Sequence, residues 1–361
     1  MSRVMMLAVV FLMSSCRPVG PRAPASPVPA SPPPEELAIS GPYVHENLAV
    51  FLISKRGAPR GSEEYLTLDE ALSTGTVRIT ECETGASVNE LQIENLGVFP
   101  VYLQAGDTVK GGKQDRTIAA DLILPPKGEK KVIPVFCVEP GRWAPRVSGE
   151  GSDRNVFTAA PVPLATREQN LAVRLEKDQA RVWSAGKETN ASLTTLAADF
   201  RPRDRNGNRA EIELSVSGLY GTDSYVLASE QPEIKTLTQP YLDAIASKTK
   251  GNQFLVGAAF AINGKINTAE VYETTGLFEK LWPRLLRGAA VEALAKKGGA
   301  GSPEVTVKDV RWLLEEPSKS EEKSESPLAG TELGVRRNSR VAQLSSRCNG
   351  SLVRRYWAKL D

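Results

Sequence analysis

The chain has 361 residues, 41% of them hydrophobic, and it carries 45 Lys and Arg against 43 Asp and Glu. This near-neutral balance argues against a nucleic-acid partner, because bulk binding to phosphates requires an excess of cations. His45 is the sole histidine, which excludes a zinc site built from several imidazoles. No phosphate-binding loop, dinucleotide fingerprint or calcium-loop pattern occurs, so we expect neither a metal nor a cofactor.

The first 15 residues have the pattern of a secretory signal peptide. Arg3 precedes the apolar stretch from Val4 to Met13, which is far shorter than the roughly 20 residues of a membrane-spanning helix. The following Ser14-Ser15-Cys16 completes a likeness to a bacterial lipobox, so we expect Cys16 to begin the mature chain and to carry a lipid. This lipid would attach the protein to a membrane, with the chain in the periplasm or at the outer membrane. Plain secretion, with Cys16 removed or unmodified, is the alternative.

Residues 16–38 predict a proline-rich linker. Eight of the 25 prolines of the chain lie between Arg17 and Glu36. Proline fixes φ and lacks an amide donor, so this segment can neither continue a helix nor pair into a sheet. We expect a stalk of about 50–60 Å between the anchor and a folded unit over residues 39–361.

From Tyr43 to Trp143 the sequence predicts a β-rich lobe. Apolar runs recur about every 8–12 residues between turn-forming residues, which is typical of a β-sandwich. The runs are ENLAVFLIS, GTVRITE, ASVNELQIEN, FPVYLQAG, AADLIL and KKVIPVFCVE. Thr67 and Glu70 have the spacing of a capping box and predict one short helix, which ends near Gly75.

Residues 144–314 predict a mixed α/β lobe. Helix-like segments precede two apolar runs that flank Asn263-Gly264, a dipeptide preferred in tight hairpins. Apolar residues at helical spacing then predict a long helix with one buried face. They are Leu277, Phe278, Leu281, Trp282, Leu285, Leu286, Ala289 and Leu294.

The end of the chain completes the predicted architecture. Residues 315–330 are charged and serine-rich and predict a mobile loop, and residues 331–361 predict strands that return to an existing sheet. The fold class is therefore α+β, with a β-sandwich-like N-terminal lobe packed on a mixed α/β C-terminal lobe to form one unit. The C-terminal region is locally basic, which indicates a solvated strand face or a contact with anionic lipid or polymer. Its basic residues are Arg336, Arg337, Arg340, Arg347, Arg354, Arg355 and Lys359.

Charged side chains crowd the ends of the most strand-like segments of the N-terminal lobe. The candidate ligand-binding residues are Gly112, Lys113, Gln114, Arg116, Arg142 and Trp143. Arginines bind phosphate oxygens, an aromatic ring binds a cation or a base, and glycine permits close approach of a ligand. Asp115 and Glu139 are the candidate catalytic residues, since a positioned carboxylate can act as a general base.

Several segments together resemble the ARPP family, the ADP-ribosylglycohydrolase and rhodanese-phosphatase-superfamily-associated protein domain. They are TLDEALSTGTVRITECETGASVNELQIEN, GGKQDR, IPVFCVEPGRW, VGAAFAINGK and LFEKLWPRLL. The resemblance implies an association with ADP-ribose-processing proteins and marks the charged cluster as motif positions, without assigning an activity. We therefore expect a small anionic ligand of the sugar or nucleotide type, similar to ADP-ribose.

Other hypotheses stay open at this point. The charged cluster can instead be a structural ion-pair network between the lobes, or the chain can be a non-enzymatic envelope module that binds a protein partner. Cys137 is predicted to be a buried packing residue rather than a nucleophile, because it lies in an apolar strand.

Overall fold

A computed structural model describes residues 37–61, 65–82, 88–142, 157–163, 166–200, 223–298 and 304–360. The signal peptide, Cys16 and Trp143 lie outside these ranges, as does the linker apart from its last two residues. Glu36–Asp361 form one compact unit.

Strands and helices occupy separate blocks of the described residues. The strands are β1 (Leu37–His45), β2 (Leu48–Lys55), β3 (Leu66–Thr67), β4 (Val77–Thr80), β5 (Glu90–Asn95), β6 (Val101–Leu103), β7 (Thr108–Gly111), β8 (Arg116–Ile118), β9 (Leu122–Leu124), β10 (Lys131–Cys137), β11 (Phe157–Ala159), β12 (Leu255–Ile262), β13 (Lys265–Tyr272), β14 (Lys323–Glu325), β15 (Thr331–Arg337), β16 (Val341–Cys348) and β17 (Ser351–Lys359). The α-helices are α1 (Leu68–Ser73), α2 (Arg167–Leu171), α3 (Gln179–Phe200), α4 (Tyr225–Glu230), α5 (Pro232–Ile245), α6 (Thr275–Ala295) and α7 (Val307–Glu315). A π-helical turn (Ala172–Glu176) lies between α2 and α3. The predicted α+β class is confirmed.

The larger sheet is antiparallel and has the order β1-β2-β12-β13-β17-β16-β15-β14. Its second strand is covered on both faces. Val50 and Leu52 belong to the apolar core that includes α6, whereas Phe51 and Ile53 belong to the core that includes α7. This two-sided burial explains why β2 is a continuous apolar run rather than an alternating one.

The remaining strands form a six-stranded sheet, β11-β7-β8-β10-β5-β4, and a three-stranded sheet, β3-β6-β9. Both contribute to one apolar core, which also contains Leu68 and Ala71 of α1. Thr67 caps α1 with the predicted capping box: its hydroxyl accepts the Glu70 amide, and the Glu70 carboxylate accepts the Thr67 amide. Because β8 pairs with both β7 and β10, the segments at the ends of these three strands lie side by side.

Other local predictions are also confirmed. Asn263 and Gly264 form the turn between β12 and β13, with φ values of 49° and 65°. Helix α6 buries every residue of the predicted apolar face. Strands β16 and β17 flank Asn349-Gly350, and β17 pairs with β13 in the existing sheet.

Three features differ from the predictions. Strand β2, expected in the N-terminal lobe, instead lies in the eight-stranded sheet, because pairing with β12 allows the apolar run to be buried on both faces. Strand β1, which was not predicted, begins at Leu37, inside the predicted linker. Residues 315–330, expected to form a loop, carry the end of α7, a 3-10 turn (Glu316–Lys319) and the edge strand β14. Strand β15 supplies the backbone partners of β14.

Acidic side chains neutralise much of the basic C-terminal region. The ion pairs are Arg336–Glu322, Arg340–Glu316, Arg347–Glu322, Arg354–Asp121 and Arg355–Glu273. The region is therefore less basic than its sequence implies. Across the described residues, no helix combines the length and apolar character needed to cross a membrane.

Candidate functional site

The two predicted groups of charged residues converge at one end of the six-stranded sheet. The turn between β7 and β8 carries the first group, the segment after β10 carries the second, and Arg116 pairs directly with Cys137 across the two strands. At Gly112 φ is 49°, and a Cβ there would lie 2.4 Å from Cζ of Phe157, so only glycine fits. We call this the turn cluster, and within the described residues it comprises Gly112, Lys113, Gln114, Asp115, Arg116, Glu139 and Arg142.

Arg142 holds the two predicted carboxylates together. Its Nη2 lies 3.1 Å from Asp115 Oδ1 and 2.5 Å from Glu139 Oε2, and its Nη1 donates to the Gly112 carbonyl at 3.2 Å. Glu139 Oε2 also accepts the Asp115 amide at 3.0 Å. Burial and the neighbouring Asp115 charge raise the pKa of Glu139, whereas Arg142 opposes this rise. These contacts form a clamp that joins the turn to the end of β10 within one sheet, rather than an ion-pair network between lobes.

Arg116 is fully buried, with 0% exposure, and most of its hydrogen-bonding capacity is unused. Its Nη1 lies 3.5 Å from the Asp115 carbonyl, while Nε and Nη2 have no hydrogen-bond partner among the described residues. Burial lowers the pKa of Arg116 and the charges of Glu81 and Asp115 partly offset this effect. The turn cluster thus contains one arginine that forms ion pairs with acids of the described residues and one that forms none.

Unmatched acceptors also occur in and beside the turn cluster. Glu139 Oε1, Gln114 Oε1 and Glu81 Oε2 are buried and lack a hydrogen-bond partner among the described residues. Glu81 was not among the predicted site residues, although its other oxygen accepts the Lys113 amide at 3.0 Å. The alternation of buried Val77 and Ile79 in β4 could have indicated it, since the next residue of that series is Glu81.

Cys137 connects the turn cluster to the helical layer. Its backbone amide donates to Gln179 Oε1 at 3.0 Å, and its carbonyl accepts Gln179 Nε2 at 2.7 Å. The side chain is buried, and this burial raises the pKa of the thiol. A buried thiol of raised pKa is a poor nucleophile, which favours the predicted structural role. Cys82, Cys137 and Cys348 form no disulfide with one another.

A second set of buried polar side chains lies between the three-stranded and eight-stranded sheets. This inter-sheet network comprises Gln104, Asp121, Glu270, Tyr272 and Arg354. Asp121 Oδ1 accepts a hydrogen bond from Arg354 Nη1 at 2.9 Å, and the Tyr272 hydroxyl lies 2.7 Å from Gln104 Oε1 and 2.8 Å from Glu270 Oε2. All five side chains are buried.

Burial perturbs the acids of this network strongly. It raises the pKa of Glu270 to about 8, and the charges of Asp121 and Asp107 act in the same direction. Arg354 Nε lies 3.2 Å from Glu270 Oε2, but this nitrogen makes no hydrogen bond among the described residues. Burial likewise raises the pKa of nearby Asp107 to about 6, against the charge of Arg284.

Sequence reasoning missed the inter-sheet network. Glu270 lies in a hairpin strand whose other residues after Lys265 are all buried, and Arg354 lies in a strand of mostly apolar residues. A charged residue within a run of core positions was the available signal, because such a residue needs a partner when it is buried. Perturbed acids of this kind are frequent at functional sites, though structural networks produce them too.

Comparison with known families identifies the chain. Residues 36–355 match the family model of the ARG and Rhodanese-Phosphatase-superfamily-associated Protein domain, ARPP-1. The chain belongs to this family. The ARPP-1 match includes every residue of the turn cluster and of the inter-sheet network, so both sites belong to the domain. Searches among curated proteins and among solved structures gave no match.

The described part of this ARPP-1 domain brings no three His, Cys, Asp or Glu side chains together in a way that could hold a metal ion. The turn cluster instead offers guanidinium and carboxylate groups. Such groups bind anions and hydroxyls through hydrogen bonds, and a carboxylate among them can transfer protons.

Proposed function

We propose that this ARPP-domain protein is a lipid-anchored protein of the bacterial cell envelope whose turn cluster binds a small anionic ligand of the sugar-phosphate or nucleotide type. The observation that carries the ligand proposal is the fully buried Arg116 guanidinium, with Nε and Nη2 unmatched among the described residues. A buried cation without a hydrogen-bonded counter-charge is costly, so an anion bound there would relieve a penalty of the folded chain.

The other charges of the turn cluster do not satisfy Arg116. Arg142 engages both Asp115 Oδ1 and Glu139 Oε2, so these oxygens already have a cation. Arg116 forms no ion pair with a carboxylate of the described residues within 4.0 Å. A guanidinium binds phosphate or carboxylate with paired N–H groups, which is the kind of partner that Nε and Nη2 lack.

The acids and the glutamine would recognise the rest of the ligand. Glu139 Oε1 and Gln114 Oε1 are buried acceptors without partners among the described residues, which suits the hydroxyl groups of a sugar. Entry of the ligand requires movement of the turn that begins at Gly112, because Arg116 is enclosed. If the bound ligand is also processed, Glu139 is the candidate acid or base, since burial raises its pKa.

The ligand proposal is tested by thermal unfolding of the full-length chain in mild detergent. The ligands are ADP-ribose, adenine nucleotides and sugar phosphates, each against the same concentration of chloride. The variants are Arg116→Met, which keeps the apolar part of the side chain, and Arg78→Met, which removes an exposed arginine of β4 as a matched control. We expect at least one ligand to raise the melting temperature of wild type and Arg78→Met but not of Arg116→Met.

The same panel separates this proposal from the structural hypothesis. If Arg116 only stabilises the fold, Arg116→Met melts much earlier than wild type without ligand, and no ligand raises the melting temperature of wild type. That outcome would refute the ligand proposal and direct attention to a protein partner. If a ligand binds, Glu139→Gln then tests turnover, because this variant should retain binding and lose any catalysis that depends on the carboxylate.

The envelope location is tested separately. Metabolic labelling with a fatty-acid analogue should label the wild-type chain and not Cys16→Ser, and fractionation should move the variant from the membrane to the soluble extracytoplasmic fraction. Equal labelling of both chains would contradict the proposed anchor.

A further inference from the structure

A second buried arginine is unmatched, at a place unrelated to the turn cluster. Arg174 lies in the π-helical turn between α2 and α3 and is 5% exposed. Such turns insert one extra residue into a helix, which redirects side chains and is frequent at functional sites. Here the guanidinium lies against the ring of Tyr356, 4.5 Å from its centroid, and Nη2 donates to the Ala105 carbonyl.

The remaining nitrogens of Arg174 are not satisfied. Nε and Nη1 are buried and have no hydrogen-bond partner among the described residues, nor does any carboxylate there form an ion pair with this arginine. The comparison with Arg354 is informative, because Arg354 lies 5.8 Å from the centroid of the same ring and is paired with Asp121. One of the two arginines beside Tyr356 has its counter-charge, and the other does not.

Arg174 lines a narrow cleft between the inter-sheet network and strands β15–β17. The other polar residues of its wall are Asp121, Thr331, Ser346 and Tyr356, together with Arg354 and Glu332. The Tyr356 hydroxyl is also buried without a hydrogen-bond partner among the described residues. The unmatched N–H groups of Arg174 are donors, so their missing partner is an acceptor, and beside an uncompensated cation the favoured acceptor is anionic.

We propose that the cleft beside Arg174 is a binding site for a small oxyanion, a phosphate, sulfate or carboxylate group, held by the unmatched N–H groups of this arginine. The free volume of the cleft is about 20 Å³, so side chains of its wall must move to admit a small oxyanion, and a nucleotide does not fit. The anion is therefore either a free ion or the end group of a larger molecule. This site is separate from the one proposed at Arg116 and does not depend on it.

The experiment uses the full-length chain in mild detergent, with inorganic phosphate, methyl phosphate and acetate as probes at constant ionic strength. Isothermal calorimetry on wild type, Arg174→Met, Arg116→Met and Arg78→Met measures each dissociation constant. We expect Arg174→Met to weaken binding of the preferred anion about 10- to 100-fold, as for the loss of hydrogen bonds to a charged group. Arg78→Met should bind it as wild type does.

The probes distinguish the two sources of the anion. A free-ion site should select inorganic phosphate over methyl phosphate, whereas a site for an end group should accept both. Unchanged affinity in Arg174→Met would overturn the proposal, and so would the absence of binding of all three probes by wild type. Loss of binding in Arg116→Met alone would assign the anion to the turn cluster instead.

A second measurement tests the proposal on wild type alone, so it remains informative even if Arg174→Met folds poorly. Crystals of wild type soaked in selenate should show an anomalous difference peak within hydrogen-bonding distance of Arg174 Nε or Nη1. A selenate peak elsewhere, with none in this cleft, would refute the assignment.

Discussion

The sharpest consequence of the inter-sheet network is an unusual dependence of stability on pH. Burial raises the pKa of Glu270 to about 8, from an ordinary value of 4.5. Between these values the folded chain binds more protons at this carboxyl than the unfolded chain does. Stability contributed by the protonated carboxyl is therefore present at low pH and is lost as the pH rises through this window.

The size of the effect follows from the two values. One pH unit corresponds to 1.36 kcal/mol, so ionisation of Glu270 should reduce the free energy of unfolding by about 3–4 kcal/mol between pH 5 and pH 8. Glu270→Gln keeps the shape of the protonated side chain and cannot ionise, and Arg354 retains Asp121 as its partner. The variant should therefore gain stability relative to wild type, by about this amount, as the pH rises over that range.

Chemical denaturation of the full-length chain at several pH values, followed by tryptophan fluorescence, measures this difference. Glu90→Gln serves as the control, because Glu90 is an exposed residue at the start of β5, and its curve should run parallel to that of wild type. Parallel curves for wild type and Glu270→Gln would refute the reasoning, because they would mean that Glu270 ionises alike in the folded and unfolded chains.

Three further predictions concern the turn cluster and the cysteines. Arg142→Ala should reduce the free energy of unfolding by about 3–5 kcal/mol in a denaturant titration, because it leaves two buried carboxylates without their cation; a loss below about 1 kcal/mol, as for exposed ion pairs, would contradict the clamp. Gly112→Ala should lower the melting temperature, since φ is 49° and the new Cβ would overlap a phenylalanine ring; an unchanged melting temperature would show that the turn readily adapts. A thiol reagent should modify half-buried Cys82 in the folded chain and reach Cys137 and Cys348 only after unfolding, as mass spectrometry would record.

Local structure was predictable wherever a few neighbouring residues determine the geometry. The capping box of Thr67 and Glu70 and the turn of Asn263-Gly264 are of this kind. The sheet that contains β2 was not predictable, because its partner β12 is distant in the chain and an apolar run alone does not indicate which strand it joins.

The candidate sites were also predictable only in part. The convergence of Asp115 and Glu139 was predictable from their positions at strand ends. Complete burial of the neighbouring Arg116 was not, since it depends on what packs over the strand. The missing counter-charge of Arg174 was not predictable either, because it depends on residues that are distant in the chain.

The pairing of β2 with β12 has a consequence for how the chain folds. Leu48 at the start of β2 is the neighbour of Ile262 at the end of β12, and β13 in turn needs β17, the last strand of the chain. The eight-stranded sheet therefore forms completely only after nearly all of the polypeptide has been synthesised. Contacts between such distant residues slow folding and leave apolar strands exposed meanwhile. Formation of the complete sheet is therefore confined to the end of synthesis, after β17 has been made.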